Sequence, residues 1–395
     1  MKGQNILKEV YDFDRPRLIM VANYAAYYSG NFIASLTALE KKVVINGVCV
    51  EYVFPENAPF SNWGEDGRFS ENHVIHTTDF KPRNLSRVLK KIIRSDEPIS
   101  NIIIYMHFLD FKAIHVITRA LKSYGCKFIV QEHMRVDFGR NNRDRDCKRK
   151  VKDFVKRILY KNAITGCRVI GVSDAVYRDL CAIRGDNKWI YMVRNAISTG
   201  RLDGTGQWDN VLRLDPQHDV VIFGTHFERK GVDIALQAVM KSGHSLRLVV
   251  LTHHEEDTIK KLDEINLKWK KYAVVYHVVE EIPCVYNHCL CFVSPSRSEA
   301  FGYAVAEAAY CDTQVIATDI PGQNSMKCIP SIIWVRPGNT DELANALAQC
   351  YKRRRNCYEK LKKQKATQRS YIVDKFGLDQ WSDEIMKICE LQKTI

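Results

Sequence analysis

Short runs of β-branched and aliphatic residues alternate with longer helical patterns along the whole sequence, and this alternation constrains the fold more than any other feature. In the first half the runs are RLIMVAN (17–23), VCVEYVF (48–54), NIIIYMH (101–107), KFIVQEH (127–133) and RVIGVS (168–173). In the second half they are DVVIFGT (219–225), LRLVVLT (246–252), YAVVYHV (272–278), LCFVSPS (290–296) and TQVIATD (313–319). Near-continuous apolar runs separated by helices describe a parallel sheet covered on both faces. Two such series predict two doubly wound α/β domains, the number expected for 395 residues. The boundary belongs in the polar stretch from Ser198 to Asp219, which holds Gly200, Gly204, Gly206 and the helix-breaking Pro216. The expected division is 1–197, a linker at 198–218, and 219–395, with the last helices free to pack back on the N-terminal domain.

Hydrophobic residues make up 46% and charged residues 27%, which excludes a disordered chain, a collagen-like repeat and a coiled-coil rod. No apolar stretch approaches the roughly 18 residues of a membrane helix, and the charged start MKGQNILKEVYDFDRPR lacks a signal-peptide core. A cytoplasmic protein is expected. The thirteen cysteines are scattered, which predicts free buried thiols in a reducing compartment. The one tight group, Cys284, His288, Cys289 and Cys291, lacks paired C-x2-C spacing and runs into an apolar strand pattern, so no zinc site is expected.

The net charge of +13 is unevenly spread: residues 1–200 hold 33 Lys and Arg against 21 Asp and Glu, and residues 201–395 hold 26 against 25. The densest part, Arg140–Lys161, has ten cations opposed by Asp144, Asp146 and Asp153. A second cluster, Lys81–Arg94, alternates cations with Leu85, Val88, Leu89, Ile92 and Ile93 at helical spacing. Such a pattern suits either an anionic membrane surface or a helix that packs its stripe inward and leaves its charges solvated. For Arg140–Lys161 an anionic partner is the expectation. The run lacks the interleaved aromatics that stack on bases, and no nucleic-acid-binding motif is present, so no nucleic acid is expected as a partner.

Ligands of open parallel sheets bind at the carboxyl ends of the strands, so a site is expected in the cleft between the two domains. The richest strand end is SPSRSEAFGYAVAEAAYCDTQVIATDIPG (294–322). A strand ends at Ser294, a polar turn carries Glu299, Phe301 and Gly302, and a helix starts near Tyr303 and contains Glu307. The two glutamates are eight positions apart, slightly over two helical turns, and the helix start offers unpaired N–H groups to a diphosphate. Small apolar neighbours from Ala304 to Ala309 argue against Glu307 lying on a solvated face. A second strand end, VVIFGTHFERKGVDIALQAV (220–239), places Arg229 and Lys230 on a loop between Gly224 and Gly231, where cations can meet a pyrophosphate.

The arrangement S-E-A-F-G-Y-A-V-A-E-A, followed by a strand and P-G, resembles the E-x7-E motif of retaining glycosyltransferase family 4, of the kind found in bacterial polysaccharide biosynthesis. The resemblance implies the GT-B fold, with an N-terminal acceptor domain and a C-terminal nucleotide-sugar domain. It implies that Glu299 contacts hydroxyls of the donor sugar, that Glu307 meets the ribose, and that backbone amides near Phe301, Gly302 and Tyr303 face the diphosphate. Family members typically carry G-R-x4-K-G at the second strand end. Here Gly224, Lys230 and Gly231 match, while Thr225 stands where the arginine usually is and Arg229 is placed to compensate. His107, ending the run NIIIYMH, matches a histidine often near the transferred sugar. Glu132 and His133 end the next run, and Ser173 ends a V-S strand or caps the next helix. The first strand-helix turn usually carries two adjacent glycines. This chain has Gly30 and Asn31 after Tyr27 and Tyr28, on the acceptor side with His133.

The chain lacks G-x-G-x-x-G after any predicted strand and G-x4-G-K-[ST] anywhere, which excludes the usual dehydrogenase and ATPase fingerprints. A strand-end D-x-D is also missing, so no metal and no cofactor are expected. The implied activity is transfer of a hexose-type sugar from a nucleotide diphosphate donor to a glycan or lipid-linked acceptor. The catalytic set is Glu299, Lys230 and His107, with the basic N-terminal domain docked on the inner face of the cell membrane. The alternatives are a nucleotide-sugar 2-epimerase of the same fold and a basic nucleic-acid-binding protein.

Overall fold

The computed structural model describes residues 15–27, 29–63, 74–93, 101–136, 147–203, 212–279, 281–356 and 368–391. The chain divides into one unit of Met1–Ala196 with Leu378–Ile395 and another of Ile197–Gly377.

The first unit is built on β1 (Arg17–Ala22), β2 (Cys49–Pro55), β3 (Val74–Thr78), β4 (Ile102–His107), β5 (Lys127–Glu132), β6 (Arg168–Gly171) and β7 (Ile190–Met192). They form one parallel sheet in the order β3-β2-β1-β4-β5-β6-β7. The central strands β1 and β4 are buried at every position, as their unbroken apolar sequences require. Its helices are α1 (Gly30–Ile45), α2 (Pro82–Ile92), α3 (Phe111–Ala120), α4 (Cys147–Ala163) and α5 (Asp174–Arg184). Asp110 and Ser173 cap α3 and α5 by accepting from Ala113 N and Val176 N. The apolar stripe of α2 is turned inward, with Leu85 and Leu89 fully buried, while Lys81, Arg83, Arg87, Lys90 and Lys91 are exposed.

The second unit is built on β8 (Asp219–Phe223), β9 (Arg247–Thr252), β10 (Ala273–His277), β11 (Cys291–Ser294), β12 (Gln314–Thr318) and β13 (Ile332–Val335), parallel in the order β10-β9-β8-β11-β12-β13. Its helices are α6 (Phe227–Lys230), α7 (Val232–Lys241), α8 (Glu255–Ile265), α9 (Ile282–Asn287), α10 (Tyr303–Tyr310), α11 (Thr340–Asn356) and α12 (368–376). The stretch expected as a linker contributes to this unit's core through Leu202 and Leu212, and Ile197 N–H donates to Phe376 O at 2.8 Å.

The last helix, α13 (Leu378–Cys389), belongs to the first unit, not to the sheet that precedes it in sequence. The physical reason is its apolar face: Trp381, Ile385, Met386 and Ile388 share a core with Leu36, Leu39 and Val43 of α1. Lys42 Nζ adds an ion pair to Asp383 at 2.7 Å.

Each unit has an ion pair where its first strand starts, fully buried in the first and with a buried carboxylate under a part-exposed arginine in the second. In the first, Arg17 meets Glu51, whose other oxygen lies 2.8 Å from His76 Nε2. In the second, Arg247 grips Asp219 with two parallel bonds of 2.7 and 2.6 Å. The described cysteines are free thiols, most of them buried. Among the described residues, no helix is long and apolar enough to cross a membrane.

Candidate functional site

Adjacent β8 and β11 run parallel, so the loops after them leave the same edge of the second sheet. After β8 the chain passes Gly224, whose N–H donates to Leu251 O at 2.7 Å, and a half-buried Thr225. His226 follows in the left-handed region with φ 67°, and the single turn of α6 then presents Arg229 and Lys230. Gly231 closes that turn at φ 72°, where any Cβ would overlap the carbonyl oxygen of Pro295 in the loop after β11. The two loops therefore touch backbone to backbone.

This contact brings the charges together. Lys230 Nζ lies 2.7 Å from Glu299 Oε1, and Arg229 Nη1 lies 3.1 Å from Oε2. Ser296 Oγ donates to Oε1 at 3.0 Å, and the carboxylate side chain is only 10% exposed. Burial alone would push the Glu299 carboxyl up. The charges of Lys230 and then Arg229, with the Lys230 and Ser296 hydrogen bonds, outweigh that burial and hold it below its ordinary value. Behind it, Gly322 passes so close that a side chain would collide with the carbonyl of Glu299. Buried Gln323 donates to Ser294 Oγ at 2.6 Å, and Thr318 Oγ1 donates to Ser296 O at 2.8 Å.

The other expected donor residues are distributed differently. Gly302 is the residue before α10, so its backbone stands at the helix start, and half-buried Tyr303 is the first helical residue. The Phe301 side chain is 2% exposed and packs on Phe376, so it serves the core. Glu307 is also buried: Arg201 pairs with one oxygen, and Tyr286 OH donates to the other at 3.2 Å. Beside the Gly224 turn, toward β9 and α8, opens a cavity of about 420 Å³ lined by Gly224, His226, Arg229, Thr252, His254 and Lys261.

The strand ends of the first unit are built from rings. His107 is fully buried, with Nδ1 3.1 Å from His133 Nε2, while its own Nε2 has no hydrogen-bond partner. Phe32 meets both imidazoles edge-on at 5.2 and 5.3 Å, and Phe108 stacks on His133 at 4.1 Å. Burial pushes His107 well below its ordinary value and His133 down to about 3, so both imidazoles are neutral. Next to them, burial raises Glu132 to about 7 despite a 2.7 Å hydrogen bond from Tyr160 OH. Asn31 is buried in α1 beside Phe32, and Gly30 starts that helix at φ 56°. Tyr27 is exposed; Tyr28, Arg140 to Asp146, Arg94 and Glu280 lie outside the described residues. Among the described residues, no group of three or more His, Cys, Asp or Glu could hold a metal ion.

Residues 206–369, which contain Arg229, Lys230, Glu299 and Glu307, match the family model described as "Glycosyl transferases group 1". The matched stretch lies within the second unit. No curated protein matches the chain by sequence. Among solved structures, it is similar to a glycosyltransferase from Rickettsia africae, with 16% identity and a TM-score of 0.71 over 98% of this chain and 100% of that one. It is also similar to HepE of Anabaena in complex with UDP-glucose, with 15% identity and a TM-score of 0.70 over 96% and 100%. A third similar structure is sucrose-phosphate synthase from Thermosynechococcus elongatus, with 16% identity and a TM-score of 0.68 over 95% and 98%. At these identities the likeness establishes the fold, which is GT-B.

Within the second unit the sequence motifs located Glu299, Lys230 and Gly224, and the structure joins the first two. It adds Ser296 to the carboxylate and Gln323 behind the loop. It also adds Arg201, which is 106 positions from its partner Glu307 and carries no local signal.

Proposed function

We propose that this chain transfers a hexose-type sugar from a nucleotide diphosphate sugar to a hydroxyl of a glycan or lipid-linked acceptor, in cell-surface polysaccharide synthesis. The anomeric configuration is retained. One observation carries the reading: two cations converge on a buried glutamate at a strand-end turn of a group 1 glycosyltransferase domain.

In this reading Glu299 holds Lys230 and Arg229 in place until the donor enters. The cations then turn to the phosphate oxygens, joined by amides at the start of α10, and Glu299 accepts hydrogen bonds from the sugar. Arg229 takes the role of the arginine that Thr225 replaces, because it reaches the same carboxylate as Lys230. The acceptor hydroxyl attacks the anomeric carbon from the face the diphosphate leaves, and the departing phosphate takes its proton. Catalysis is thus positioning plus charge stabilisation, with no protein nucleophile and no divalent metal. Glu307 meets the ribose by exchanging the Tyr286 hydroxyl for a sugar hydroxyl. The first unit contributes His107 as a neutral imidazole with an unpartnered nitrogen, and Gly30, Asn31 and His133 on the acceptor side. Its basic helices hold the protein to the anionic inner face of the cell membrane.

Two similar structures support the donor class: HepE was solved with UDP-glucose, and a Staphylococcus aureus enzyme, TarM, with UDP. The polysaccharide setting draws support from similarity to WaaG, described as a glycosyltransferase involved in lipopolysaccharide biosynthesis. The test is a thermal-shift screen of nucleotide diphosphates and their sugars. A ligand at 100 times its dissociation constant adds about 2.7 kcal/mol. Stabilisation by one nucleotide diphosphate series, lost in Lys230→Ala, is expected; no shift with any member would sink the reading.

A further inference from the structure

Helix α4 turns an apolar stripe away from its own core. Val151, Phe154, Val155 and Ile158 recur at i, i+3, i+4 and i+7 and are 63, 62, 47 and 44% exposed. A surface helix normally buries such a stripe, as α2 does with Leu85 and Leu89. Here Tyr160 is buried and the stripe is left in solvent. Exposed Lys148, Lys150 and Lys152 and half-buried Lys156 border it, and Asp153 is the helix's single acid. Leu159, 44% exposed, continues the apolar surface into a groove of about 760 Å³ lined by Lys81, Arg83, Phe111, Lys112 and Val116.

We propose that α4 is an interfacial helix: it lies in the plane of an anionic bilayer, with Phe154 and its apolar neighbours among the acyl chains and its lysines at the phosphates. The proposal rests on the membrane docking read above and deepens it, since charge alone would hold the protein on the surface without insertion. Both features of the helix point to lipid. A second copy of α4 would bring lysines against lysines, and a nucleic acid would match the charge but leave the aliphatic stripe in water.

The full-length protein is mixed with vesicles of phosphatidylcholine, alone or with phosphatidylglycerol, at low and high salt. Sedimentation is compared with a variant carrying Phe154→Ser, Val155→Ser and Ile158→Ser, and with Phe154→Trp. The wild type should bind the anionic vesicles with a salt-resistant fraction. The serine variant, whose thermal melt should match the wild type, should lose that fraction by about tenfold or more while keeping low-salt binding. Emission from Phe154→Trp should shift to the blue and be quenched by lipids brominated on their acyl chains. Binding without shift or quenching would overturn the insertion and leave electrostatic docking standing. Absence of wild-type binding to either vesicle would overturn both. A wild-type dimer that the serine variant dissociates in the ultracentrifuge would overturn the proposal in favour of self-association.

Discussion

Glu299 and Glu132 each stand at the carboxyl end of a parallel strand with a buried carboxyl, yet they have opposite acidities. Glu299 has Lys230 and Arg229 on its two oxygens and is held below the ordinary value. Glu132 has the hydroxyl of Tyr160 and is raised to about 7. Burial is common to both, so the partner decides the charge. The same contrast holds for the whole strand ends. The second unit concentrates paired charge around tight glycine turns, whereas the first gathers neutral imidazoles and aromatic rings and carries its charge on outer helices. One edge is suited to an anionic group, the other to flat, weakly polar surface.

The largest effect expected from this contrast is on acid stability. His133 titrates near 3 when folded and near 6.5 when unfolded. The unfolded state therefore binds more protons between those values, and stability present above pH 6.5 is lost as pH falls, on the order of 5 kcal/mol in all. In His133→Phe the first unit's near-UV circular dichroism should hold to lower pH; an unchanged acid midpoint would show that the neutral ring cluster does not govern it.

Next come Glu299→Ala and Lys230→Ala, each expected to lower turnover by about a hundredfold to a thousandfold with the melting profile retained. Near-normal rates in both would reduce the paired charges to a structural clamp. Glu132→Gln tests the other side of the comparison. Its raised value means the folded state binds the extra proton, so wild-type stability falls as pH rises from about 4.5 to 7, by about 3 kcal/mol. The variant should abolish that slope, and a retained slope in denaturant titrations at several pH values would place its origin elsewhere.

Arg229→Ala should cost less than Lys230→Ala, about tenfold in rate, because its side chain is 39% exposed against 22% for Lys230. Equal losses would make the two cations a single unit. The smallest effect is expected from EDTA, which should leave the rate unchanged; loss of activity restored by magnesium would replace charge neutralisation by cations with metal chemistry.

The alternation of apolar runs and helical patterns was enough to read two parallel-sheet α/β series, and the central strands stand where unbroken aliphatic runs occur. Three strands at or toward the sheet margins were not legible: β3 (VIHTT), β7 (IYM) and β13 (IIWV) are short or partly polar, because a strand with less cover needs less apolar sequence. Glu299 and Lys230 were legible because the turns that present them are local. Their partnership with Arg229 and the closure of Glu307 by Arg201 depend on residues 69, 70 and 106 positions apart. Likewise, the sequences of α2, α4 and α13 all encode an amphipathic helix, but tertiary structure alone decides what meets each apolar face. That of α2 packs within its unit, that of α13 packs on α1 from across the chain, and that of α4 stays open. Periodicity is a property of neighbours along the chain and determines which elements form. Burial and the acidity of a carboxyl depend on groups that only the folded chain brings together.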